Sequence, residues 1–111
     1  MFEDDGVRIR HILDSAREAI AFSKGRRRAD LDTNRKLNLS LVRLLEIIGE
    51  AARGISLEFR ESHPDLPWKS MVGMRDRLIH GYFDINLDVV WETVTDDLPG
   101  LVAKLEKILG D

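Results

Sequence analysis

Apolar residues recur along this chain at the three- and four-residue spacing of an α-helix, and no β-hairpin signal interrupts them. Ile9, Leu13, Ala16 and Ile20 form a first stripe, widened by Ile12 and Ala19, which predicts a helix from Gly6 to Lys24. Asp4 and Asp5 precede it and suit the positive end of its dipole. Gly25 is a natural stop. Leu37, Leu41, Leu44, Ile48, Ala51 or Ala52, and Ile55 make the longest stripe, about 22 residues, with Thr33 or Asp32 as its cap. Leu45 and Ile47 broaden that face, as expected of a helix with two neighbours. Gly49 inside it costs about 1 kcal/mol relative to alanine, which points to a close crossing by another helix.

A short helical extension from Ser56 to Ser62 would pack through Leu57 and Phe59 and end at Pro64. Pro67 is a suitable first residue for a third long helix, with Asp65 nearby as a cap. Trp68, Met71, Val72 and Leu78 continue that helix to Ile79 or His80, and Gly81 ends it. Asn86 can cap a final helix from Leu87 to about Leu109, kinked by Pro99. The predicted fold is all-α: an antiparallel bundle of four long helices with one short extra helix.

With 111 residues the chain makes one domain, spanning 1–111, that buries roughly two-thirds of its unfolded surface. The lack of cysteine excludes a disulfide scaffold and a thiolate metal site. No apolar run reaches the length of a membrane span, and Met1-Phe2-Glu3-Asp4-Asp5 is too acidic for a signal peptide, so a cytoplasmic location is expected. The net charge of −3 argues against a general basic nucleic-acid binder. It is distributed unevenly: +2 over residues 1–36, −1 over 37–73 and −4 over 74–111. Lys24, Arg26, Arg27, Arg28, Arg35 and Lys36 are opposed only by Asp30 and Asp32. This run reads either as a contact for an RNA backbone or as a solvated link between helices. Its shortness and its lack of an aromatic ring favour the link.

The segment Arg75-Asp76-Arg77-Leu78-Ile79-His80-Gly81-Tyr82 carries the candidate chemistry. Arg75 offers a permanently charged fork of donors suited to phosphate, and His80 brings an imidazole, a group that can give or take a proton. On a helix the two lie about 140° apart, a spacing that suits opposite walls of a cleft, whereas Arg75 and Tyr82 share a face. The bland reading is an ion-paired cluster around Asp76. Glu46 and Glu50, one turn apart, lack the Glu-x-x-His partners of a carboxylate metal pair and read as a solvated or salt-bridged edge. His63, before Pro64, reads as a surface or turn residue.

Arg75-x4-His80-x-Tyr82, with polar Asp76 directly after the arginine, resembles the signature of the HEPN superfamily. Four flanking blocks are similar to the HepT-like toxin branch: Glu46 to Ala52, His63 to Trp68, Gly73-Met74 and Val90 to Val94. The resemblance covers about Val7 to about Leu109 and is weakest from Gly25 to Asp32. It implies a homodimeric, metal-independent endoribonuclease toxin of a toxin–antitoxin system, with no cofactor. Arg75 and His80 would be catalytic, with Asp76 orienting the imidazole. A twofold dimer would bring two such pairs to one cleft and so supply both an acid and a base. The implied partner is an MNT-type nucleotidyltransferase antitoxin that transfers AMP to Tyr82. The competing expectation is a HEPN homodimer that binds a nucleotidyltransferase or a nucleotide and cuts nothing.

Overall fold

In the computed structural model, residues 3–110 are described; Met1 and Phe2 of the acidic N-terminal stretch, and Asp111, lie outside that range. Helix α1 spans Glu3–Ser23, and α3 spans Arg35–Arg53. Between them Gly25, at φ 72°, takes the left-handed turn that stops α1, and a single-turn helix, α2 (Asp30–Thr33), buries Leu31. The cap of α3 is neither Thr33 nor Asp32. Asn34 sits in extended backbone with its side-chain oxygen accepting from the Leu37 N–H.

The core is built mainly where α1 meets α3. Ile9, Ile12, Leu13 and Ala16 of α1 pack among Leu41, Leu45, Ile48 and Ala52 of α3, all fully buried. Each such side chain contributes about 1.5–3 kcal/mol on burial. Asp5, expected only to complement the α1 dipole, is buried inside the first turn. Its carboxylate accepts from both the N–H (2.9 Å) and the hydroxyl (2.7 Å) of Ser56, just beyond the end of α3. The two long helices therefore run antiparallel. Ser56 also accepts from Phe59 N–H and so caps α4 (Leu57–Ser62). Phe59 is buried there, but Leu57 points to solvent, because one short helix has only one inward face.

The third long helix is replaced by shorter pieces. α5 (Trp68–Val72) and α6 (Met74–Leu78) are separated at Gly73, a usual place for a kink. Pro67 stands one position before the helix, and no side chain caps α5, Asp65 included. The crossing expected at Gly49 is present: a Cβ there would lie 3.2 Å from the Met71 carbonyl oxygen and 3.3 Å from Met74 Cβ. Beyond α6 the chain turns extended at Ile79 and forms a small antiparallel hairpin. In it, β1 (Ile79–Gly81) pairs with β2 (Asp84–Ile85), Ile79 opposite Ile85. The half-buried Ile79 and Ile85 anchor it to the core, and Asn86 N–H donates to Leu78 O at its base.

Asn86 caps α7 (Leu87–Glu92) as expected. A π turn over Thr93–Asp97 runs directly into α8 (Leu98–Leu109), with Pro99, the residue expected to kink this helix, at the second position of α8. The fold is thus largely helical, as expected, with a broken helix and a hairpin in place of the fourth rod. No helix among the described residues is long and apolar enough to cross a membrane.

Candidate active site

The kink at Gly73 and the contact with Gly49 set the direction of α6. Met74 and Leu78 go into the core, while Arg75, Asp76 and Arg77 face outward. Arg75 keeps 60% of its side chain exposed, and its Nε lies 4.0 Å from Oε2 of Glu46 on α3. That distance is too long for a hydrogen bond. It leaves a weak Coulombic pull and the guanidinium donors open to a ligand. Glu46, which the sequence marked only as a solvated or salt-bridged edge, is half-buried and is the carboxylate that faces this arginine. The neighbouring Gly49 crossing is the sequence feature that could have pointed to it.

His80 lies on β1, so the helical angle between it and Arg75 does not apply, and Tyr82 shares no helix face with Arg75. Gly81 does not end the helix; α6 stops at Leu78, where Ile79 turns extended. The His80 side chain is 52% exposed, with Nδ1 3.9 Å from Oδ2 of Asp84 across the turn. Asp76, expected to orient the imidazole, stands exposed on α6 with no side-chain hydrogen bond or ion pair among the described residues. Asp84 is the carboxylate beside His80, and only a chain reversal four residues long could bring it there.

Tyr82 and Phe83 form the tip of the hairpin, 95% and 80% exposed, with ring centroids 5.1 Å apart in an edge-to-face arrangement. The Tyr82 phenol stands almost entirely in solvent. Within the basic run, the residues Arg26, Arg27, Arg28, Arg35 and Lys36 considered for RNA do not behave alike. Arg26, Arg27, Arg35 and Lys36 are exposed. Arg28 is held in ion pairs by Asp88 (2.6 Å) and Asp32 (3.2 Å), and its hydrogen bond to Asp88 raises its pKa above the usual arginine value. This contact ties the basic loop to the first turn of α7, four residues beyond Asp84. His63 is structural: its ring lies 4.5 Å from that of Phe59, and its carbonyl accepts from Trp68 Nε1.

Residues 12–108 match the family described as ribonuclease HepT-like, a span that includes every residue of this site. The chain belongs to the HepT-like ribonuclease family. Among HepT-like relatives, a "Probable ribonuclease HepT" of Thermococcus cleftensis is 44% identical over 79 residues, 71% of this chain and 72% of the relative. A "Putative RNase" of Caldanaerobacter subterraneus subsp. tengcongensis is 42% identical over 101 residues, 91% and 90% of the two chains. A "Putative RNase" of Methanocaldococcus jannaschii is 42% identical over 95 residues, 86% and 87%. No solved structure matches the HepT-like chain.

Proposed function

We propose that this protein is a metal-independent endoribonuclease toxin acting as a homodimer, with an Arg75/His80 pair from each copy lining one RNA cleft. The observation that carries this reading is the openness of the pair. Both side chains are more than half exposed on one short segment, and among the described residues each has only a distant carboxylate for company. A structural ion-pair cluster would have consumed them. In the reaction, one His80 takes the proton of a 2′-hydroxyl, whose oxygen attacks the adjacent phosphorus. The bond to the 5′-oxygen breaks, and the second His80 gives that oxygen a proton. Arg75 stabilises the charge that builds on the phosphorane. The products are a 2′,3′-cyclic phosphate and a 5′-hydroxyl. Asp76 remains a site residue in this reading, exposed beside Arg75 where a substrate can reach it.

Regulation follows from Tyr82. A nucleotidyltransferase antitoxin would transfer AMP from ATP to the phenolic oxygen, releasing pyrophosphate. The exposure of Tyr82 supports this, since its hydroxyl can enter another enzyme's active site. The attached phosphodiester would then compete for the donors of Arg75.

The test is RNA cleavage by the partner-free protein in excess chelator. Arg75→Ala and His80→Ala should each abolish it while the dimer mass in sedimentation stays unchanged, and a DNA copy of the substrate should survive. Loss of cutting on chelation, restored by magnesium, would rule the mechanism out. An intact dimer that leaves RNA uncut is the outcome expected of a non-catalytic binding module. For regulation, intact masses after incubation with antitoxin and ATP should show adenylyl mass on wild type and none on Tyr82→Phe.

A further inference from the structure

The ribonuclease reading leaves open what holds the RNA. Within the Arg75–Asp84 segment itself the phosphate backbone has few handles. The chain's net charge is −3, and within residues 75–84 Arg75 and Arg77 are offset by Asp76 and Asp84. A strand that is to stay in such a site must be gripped through its bases. The described aromatic rings exposed to solvent are Phe22, Tyr82 and Phe83, and only the last two lie near His80. Phe83 has no polar atom, is 80% exposed, and is braced from one side by the Tyr82 ring at 5.1 Å. Two adjacent rings left in water at the end of a hairpin form one exposed apolar patch, the kind of surface that marks an interaction site.

We propose that Phe83 is a base-stacking platform that takes an unpaired nucleobase next to the scissile phosphate, so that the substrate is single-stranded RNA. This inference rests on the ribonuclease reading. Its geometry is local: Phe83 lies three residues beyond His80, across a tight turn that keeps the imidazole and the ring at one end of the molecule. A base on Phe83 positions its own ribose phosphate for Arg75 and His80. Every base has a face that can stack, so the platform is tolerant of sequence. A base inside a duplex cannot reach it.

The binding probe is a single-stranded oligoribonucleotide of about 12 nucleotides, within the usual range for such grooves, carrying 2-aminopurine near its centre. It is titrated into the His80→Ala protein, which keeps it uncut. Stacking should quench the probe, and adding Phe83→Ala should remove the quench and weaken binding roughly 5- to 150-fold. Phe83→Trp should retain both. Annealing the probe to its complement should weaken binding as much as Phe83→Ala does. In the active protein, Phe83→Ala should raise KM by that factor with kcat changed less. Two phosphate contacts from one copy, or four from two, predict a salt slope between about −1.4 and −2.8 for a single strand.

An unchanged quench in Phe83→Ala, equal affinity for duplex, or a steeper slope would each overturn the platform. So would loss of the dimer in Phe83→Ala, which would make the ring an interface residue. If the wild type cuts no RNA but the quench depends on Phe83, the ribonuclease reading fails and the platform stands.

Discussion

The middle of α3 and the stretch from Arg75 to Asp84 are both rich in apolar and charged residues, yet the fold treats them in opposite ways. In α3, Leu41, Leu45, Ile48 and Ala52 have no exposed surface, and Gly49 is bare because the α5–α6 turn lies against it. From Arg75 to Asp84, only Leu78 is buried, and the two largest rings stand in water. The first region has spent its interactions on the fold, and the second has withheld them. Groups withheld from the fold are the ones available to a ligand, so stability and activity should respond to different substitutions.

The largest loss of stability is expected from Leu45→Ala, about 2–5 kcal/mol in urea unfolding, because the cavity is enclosed by both long helices. A cost below about 1 kcal/mol would mean that the α1–α3 seam can collapse around the gap. Asp5→Ala comes next, at about 1.5–3 kcal/mol, since it strips a buried charged acceptor from two Ser56 donors. Asp5→Asn should recover part of it, and equal losses for the two would point to charge in place of hydrogen bonding. Gly49→Val should cost about 1–3 kcal/mol through overpacking on Met71 and Met74. It is also the substitution that links the two regions: by pushing α6 it should lower RNA cleavage in molecules that remain folded. Unchanged specific activity would show that the site tolerates movement of its base. Smallest are Arg75→Ala and His80→Ala, each within about 0.5 kcal/mol of wild type by thermal unfolding, as expected of exposed side chains. A drop of several kcal/mol for either would make the pair part of the scaffold and dissolve the contrast.

The same contrast explains what could be read from the chain. The α1 stripe repeats over about three turns and the α3 stripe over about five, so most of their buried positions were legible, although Ile20 and Ile47 are only half-buried. The third helix was not, because Met71, Met74 and Leu78 keep helical spacing on both sides of Gly73 and a single glycine does not announce a kink. The hairpin was missed because Gly81 reads equally well as a helix stop; the clue was the Ile79 and Ile85 pair bracketing two aromatics. Arg75 and His80 stood out in the sequence by chemical type, and both side chains are more than half exposed. The carboxylates were less legible. Asp76 was expected at His80, whereas chain reversal brings Asp84 there, and Glu46, read as a solvated or salt-bridged edge, is brought by helix crossing to 4.0 Å from Arg75. Contacts made by turning a corner leave no periodic trace.

The π turn at Thr93–Asp97 also bears on how the chain could change length. Val90, Val94 and Leu98 are successive inward positions four apart, and at about 100° per residue two such steps would carry the seam roughly 80° around the helix. The wider turn takes up that drift, so Leu101 and Leu105 still arrive on the core side. It acts as a phase corrector. A one-residue deletion between 94 and 97 would turn the bulge into regular α-helix and leave α8 facing the core much as it does now. Lys104 would keep its bond to the Asp65 carbonyl and Glu106 its pair with Arg17. Had an ancestral chain gained a residue here, the bulge is the form in which the gain could be kept without rewriting the core.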